Sequence, residues 1–107
     1  MKVKDLIIGR KGDSLTGKVL NKEFSIKSVF GTVKIKTGDI TWIHFKNPPR
    51  FKEDEIWLKT GDRLSGQIRQ NNIEFKSETG QTLKIGRNSI HTVIVNQKWN
   101  ERGRSLL

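Results

Sequence analysis

The chain has no cysteine among its 107 residues, which excludes disulfides and thiolate chemistry and leaves the redox compartment unmarked. Long apolar runs are missing too. Met1 to Arg10 carries only Leu6-Ile7-Ile8, too short for the apolar centre of a secretory leader, and no stretch could span a bilayer. The protein is therefore expected in the cytoplasm, unless a leader was removed and replaced by an initiating Met. No segment shows the apolar period of 3.6 residues that a helix requires. Histidine is limited to His44 and His91, and proline to Pro48 and Pro49.

What remains is a chain that is 33% hydrophobic and 30% charged, without homopolymeric tracts, which is the composition of a folded protein. Its length fits one ordinary domain, or two very small ones that would have to pack together or oligomerise to be stable. Lys and Arg number 21 against 11 Asp and Glu, a net charge of +10. Such a field concentrates nucleic acid, anionic lipid or acidic protein near the surface. Ten basic residues face four acidic ones up to Pro49, and eleven face seven beyond it, so the charge is spread along the chain and not confined to one arm.

The strongest pattern is internal. A shift of 49 residues superposes Gly12-Asp13-Ser14-Leu15-Thr16-Gly17-Lys18-Val19 on Gly61-Asp62-Arg63-Leu64-Ser65-Gly66-Gln67-Ile68, with the common form G-D-x-L-[ST]-G-x-[VI]. The same shift pairs Ile7 with Ile56, Lys27-Ser28 with Lys76-Ser77, and Gly31 with Gly80. One extra residue, Gln81, changes the offset to 50. Thr32-Val33-Lys34-Ile35 then matches Thr82-Leu83-Lys84-Ile85, Ile40 matches Ile90, and Ile43 matches Val93. A match across about forty positions with one insertion indicates duplication.

Each copy reads as short strands. In the second, Ile56 to Thr60 is an expected strand and Gly61-Asp62 a turn; Leu64, Gly66 and Ile68 alternate on the next strand. Asn71-Asn72 suits a hairpin turn, Ile73 and Phe75 alternate in a third strand, and Leu83 and Ile85 in a fourth. Arg87-Asn88-Ser89 has the length of one 3₁₀ turn before a final strand holding Ile90, Val93 and Val95. The first copy repeats this order with Leu15, Gly17 and Val19, then Phe24 and Ile26, Val33 and Ile35, and Ile40, Ile43 and Phe45. The glycine inside a strand, Gly17 or Gly66, would allow a sharp bend where a barrel closes. The expectation is an all-β protein of two tandem SH3-like (Sm-like) five-stranded barrels. Residues 1–45 form the first, 46–55 a proline-stiffened linker, 56–96 the second, and 97–107 a basic C-terminal tail.

The second copy resembles the Sm-like family. Leu58-Lys59-Thr60-Gly61-Asp62-Arg63-Leu64-Ser65-Gly66-Gln67-Ile68 is similar to that family's first block, and Ile85-Gly86-Arg87-Asn88-Ser89-Ile90 to its closing block with Gly and Arg exchanged. The resemblance implies RNA binding, with Arg87 and Asn88 contacting bases. The chain departs from the family in lacking its Asp-x-x-Met-Asn element and in placing Lys36-Thr37-Gly38-Asp39 where the first copy should carry Arg-Asn. The repeat also resembles the G-D-x-L-x-G repeats of bacterial envelope-associated proteins, which implies a structural role.

Few residues offer chemistry. His44 and His91 occupy unlike repeat positions, and no metal set or Ser-His-Asp arrangement can be assembled from them; His44 is expected on a strand face beside Trp42. The acidic run Glu53-Asp54-Glu55 reads as a solvated part of the linker, since adjacent carboxylates rarely converge on one cation. Trp42 and Trp57 match Thr92 and Ile8 in the other copy, so they are not repeated core residues. They are expected either to pack the two modules together or to lie exposed for base stacking. Cations and aromatics recur in Trp42, Lys46, Arg50 and Phe51, and again in Lys98, Trp99, Arg102 and Arg104, which is the minimum chemistry for binding single strands. In the tail, Trp99, Leu106 and Leu107 could instead dock in a groove of another subunit. The resulting expectation is a binding module without catalytic activity, cofactor or metal, recognising RNA or single-stranded DNA. The alternative is a structural or protein-interaction module of an envelope, phage-like or multi-subunit assembly, with an acidic protein or a second copy as partner.

Overall fold

Among the described residues ten strands alternate apolar and polar side chains, and a computed structural model places them in one curled antiparallel sheet. The structure describes residues 2–48 and 52–99; residues 1, 49–51 and 100–107, and the side chains of residues 2, 3 and 97–99, lie outside it. The strands are β1 (Lys2–Gly9), β2 (Ser14–Val19), β3 (Glu23–Ser28), β4 (Gly31–Lys36), β5 (Ile40–His44), β6 (Asp54–Leu58), β7 (Arg63–Ile68), β8 (Asn72–Ser77), β9 (Thr82–Gly86) and β10 (Ile90–Trp99). Single 3₁₀ turns, Thr37–Asp39 and Arg87–Ser89, precede β5 and β10. The second is the turn expected from its length, and the first is its repeat counterpart. No described helix is long and apolar enough to cross a membrane.

The strand order, β4-β3-β7-β6-β5-β10-β1-β2-β8-β9, interleaves the two sequence repeats. Neither run of five consecutive strands makes its own sheet. The hairpin expected across Asn71-Asn72 does not form: β7 pairs with β3 (Ile26 opposite Ile68), and β8 pairs with β2 (Val19 opposite Phe75). Apart from the pairing of residues 2–4 with 97–99, of Gly17 with Ser77 and of Ser28 with Gly31, the pairings are reproduced when each residue is replaced by its repeat counterpart. The pattern is two-fold about the pair Ile43 and Val93, which are themselves counterparts and face each other across β5 and β10.

Burial accounts for this exchange. Leu64, Ile56, Ile43, Val93, Ile7 and Leu15 are successive cross-strand neighbours along the inner face of the central strands. Of this row Ile56, Ile43, Val93 and Ile7 are buried in one cluster with Phe24, Ile26, Phe45, Ile68, Ile73 and Phe75; Leu64 packs against it, and Leu15 at the far end is exposed. A core shared by both repeats removes more apolar surface from water than two modules of about fifty residues could each achieve. Gly17 and Gly66 mark where β2 and β7 leave one neighbour for the next. A Cβ on Gly17 would lie 2.1 Å from the Lys76 carbonyl oxygen, and one on Gly66 1.9 Å from that of Lys27. Close backbone approach is thus the reason for glycine inside these strands.

Two boundaries differ from expectation. The stretch read as linker contains the start of β6, because Asp54 is a buried structural residue. At the other end β10 runs on to Trp99, pairing Lys2 with Trp99 and Lys4 with Gln97, past a register shift near Asn96, whose φ is 55°. Asparagine enters that left-handed region more readily than most residues, so the alternation breaks while the strand continues.

Candidate functional site

On the outer face of the central strands, Arg63, Trp57, Trp42, Ile94, Leu6 and Thr16 are successive cross-strand neighbours. The adjacent row runs Ser65, Glu55, His44, Thr92, Ile8 and Ser14. The two rows are repeat counterparts of each other in reverse order, yet all the large aromatic and cationic groups sit at one end. Trp42 and Trp57 are half-buried with ring centroids 5.5 Å apart, and the Arg63 guanidinium lies 5.5 Å from the Trp57 ring. The tryptophans therefore neither separate two modules nor stand free. They are outer-face neighbours on a continuous sheet.

Glu55 holds this group in place. Its carboxylate accepts from Trp57 Nε1 at 3.4 Å and lies 3.9 Å from the Arg63 guanidinium. His44 sits beside Trp42, as expected, with centroids 6.2 Å apart, and 6.3 Å from His91. Thr92 Oγ1 is 3.0 Å from His44 Nδ1 and 2.7 Å from His91 Nδ1. A hydroxyl has one proton to donate and two lone pairs, so it donates to at most one of the two rings, and the direction of each bond follows the tautomer. Burial pushes the His44 pKa below the ordinary histidine value, opposed by Glu55 and reinforced by His91. Trp42 Nε1 is buried and has no acceptor among the described residues. No group of three or more His, Cys, Asp or Glu among the described residues could hold a metal.

A second constellation escaped sequence reasoning. Asp54, expected in a solvated acidic run, is 1% exposed. Its carboxylate accepts from the Lys46 and Ile68 backbone N–H groups at 2.8 and 2.9 Å, and it pairs with Arg87. Arg87 also donates to the Ile68 carbonyl at 2.6 Å and lies over the Phe45 ring. The guanidinium that Sm-like resemblance assigned to RNA is thus committed to the protein interior. Glu55 is half-buried on the outer face and only Glu53 of the acidic run is exposed. The repeat counterpart of Asp54 is Asp5, 6% exposed, which accepts from the Val19 and Asn96 N–H groups at 2.7 Å each. The signal was available: the offset that pairs Ile7 with Ile56 also pairs Asp5 with Asp54.

The other expected site residues scatter. Asn88 is exposed and lines a cavity of about 440 Å³ with Arg10, Lys11 and Asp13. Lys46 is exposed, and its carbonyl accepts from Arg10. Lys98 and Trp99 lie in β10, but their side chains are outside the described residues, as are Arg50, Phe51, Arg102 and Arg104. The structure adds an unexpected apolar tip: Val29 and Phe30, between β3 and β4, are 93% and 81% exposed. The corresponding turn of the second repeat carries the polar residues Glu78 and Thr79. Comparison of the chain with protein-family models, with curated proteins and with solved structures gave no match.

Proposed function

We propose that the protein is a non-catalytic module that binds single-stranded nucleic acid on the outer face around Trp57. The observation that carries this reading is the grouping of Arg63, Trp57, Trp42, His44 and His91 at one end of a sheet face in a chain of net charge +10. Aromatic and guanidinium planes stack on bases without regard to sequence. Each set of five adjacent strands combines the first two strand positions of one repeat with the last three of the other. We read each set as one strand-exchanged SH3-like barrel.

Fluorescence anisotropy with single-stranded RNA and DNA at two salt concentrations tests the binding. Affinity should fall as salt rises, because cation–phosphate contacts release counterions. Trp57→Leu, which keeps apolar bulk and removes the stacking plane, should weaken binding about 5- to 100-fold, the worth of one base stack. Absence of binding at low salt removes the reading.

The Val29–Phe30 tip favours a second reading, a protein-interaction module. Adjacent apolar side chains this exposed are a docking feature when the equivalent turn is polar. Sedimentation of wild type against Phe30→Ser tests it with a second copy as partner: loss of self-association in the variant, with oligonucleotide affinity unchanged, supports this reading.

A further inference from the structure

The two buried aspartates have the same backbone partners and opposite surroundings. At Asp54 the space beside the carboxylate is filled by the Arg87 guanidinium, backed by Phe45 and the Ile68 carbonyl. At Asp5 the counterparts of Arg87, Phe45 and Ile68 are Thr37, Val95 and Val19. The smaller residues leave an open cavity of about 420 Å³ lined by all of them, with the carboxylate in its wall. No cation pairs with Asp5 among the described residues. A buried carboxylate with two backbone donors retains acceptor capacity, and an uncompensated buried charge favours any cation that fits.

We infer that this cavity receives the side chain of an arginine from a partner protein, seated on Asp5 and the Val19 carbonyl as Arg87 is seated on Asp54 and the Ile68 carbonyl. The rim narrows the class of partner. Lys18 and Lys22 are exposed and line the cavity, where the other site has Gln67 and Asn71. An arginine flanked by acidic residues meets both features: its guanidinium reaches the buried carboxylate while its neighbouring carboxylates face the rim lysines. The overall charge of +10 attracts such an acidic segment. This site uses none of the outer-face residues, so it stands apart from nucleic-acid binding.

The full chain titrated with the blocked peptide Glu-Arg-Asp, and with its lysine and citrulline versions, tests the inference by amide NMR and calorimetry. The arginine peptide should shift the Val19 and Asn96 amides. The lysine peptide should bind at least about tenfold more weakly, since an ammonium cannot reproduce the fork geometry, and the citrulline peptide should not bind. Asp5→Asn should lose binding. Because that variant can also misfold, Thr37→Arg provides the decisive arm. Building the Arg87 arrangement into the cavity should abolish peptide binding while the chain stays folded. Unshifted Val19 and Asn96 amides at saturating arginine peptide would overturn the proposal. So would undiminished binding by a folded Thr37→Arg variant, or competition by Arg102 and Arg104 of the chain's own tail, shown as binding that appears only when both are replaced by Gln.

Discussion

The Asp54 and Asp5 sites occupy matching positions of the sequence repeat and differ in one decisive respect: the first is closed by an internal arginine, whereas the second stands open. Their common part is structural. Each carboxylate accepts from two backbone N–H groups, and so ties the first strand of a repeat to the end of its second strand and to the chain in or just beyond the fifth strand of the other repeat, Asn96 of β10 for Asp5 and Lys46 after β5 for Asp54. Their unlike part, Arg87 against Thr37 and Phe45 against Val95, changes a sealed ion pair into a cavity. Matching positions within one sheet thus carry one site that is closed by its own side chains and one that is open.

The comparison can be broken most severely at Asp54. Asp54→Ala leaves two backbone donors and the Arg87 guanidinium unpaired, and should cost about 3–5 kcal/mol in urea unfolding. Asp5→Ala strands only the two donors and should cost about 1–3 kcal/mol. Equal losses at the two positions would mean that Arg87 contributes nothing.

Arg87→Thr should make the first site resemble the second. Removing one partner of a buried pair costs up to about 3–5 kcal/mol, and added guanidinium at low, non-denaturing concentration should restore part of the loss by occupying the vacated space. Thermal unfolding with guanidinium and with sodium at matched ionic strength measures this; identical responses to the two cations would rule out a shape-specific site.

The smallest effect belongs to the outer face. Burial holds the His44 pKa below its unfolded value, so on acidification the unfolded chain takes up a proton first. Stability from this group is fully present above the ordinary histidine pKa near 6.5 and declines as pH falls through the window between that value and the lowered one. The unfolding midpoint should therefore drop slightly from pH 7.5 to pH 5.5 in the wild type and less in His44→Gln. A larger drop in the variant would reverse the assignment.

Much of this was legible in the residues. The repeat, the alternating strands, the two glycines required inside strands, the 3₁₀ turn at Arg87-Asn88-Ser89 and the neighbourhood of Trp42 and His44 all follow from spacing and side-chain type. The burial of Asp54 did not, because a carboxylate between two glutamates carries no local sign that distant backbone donors will surround it. Nor did the fate of Arg87, whose local motif is compatible with an exposed contact.

The sequence alone determined which segments are strands and which face of each is apolar, since these depend on period-two alternation and turn chemistry within a few residues. Only the tertiary structure decided which strands pair. Val19 fits opposite Phe75 of the other repeat and not opposite a strand of its own, because a strand edge will accept either of two similarly patterned partners and the choice falls to the arrangement that buries one shared core. The same choice placed Thr37 where Arg87 stands at the other site and left the cavity beside Asp5.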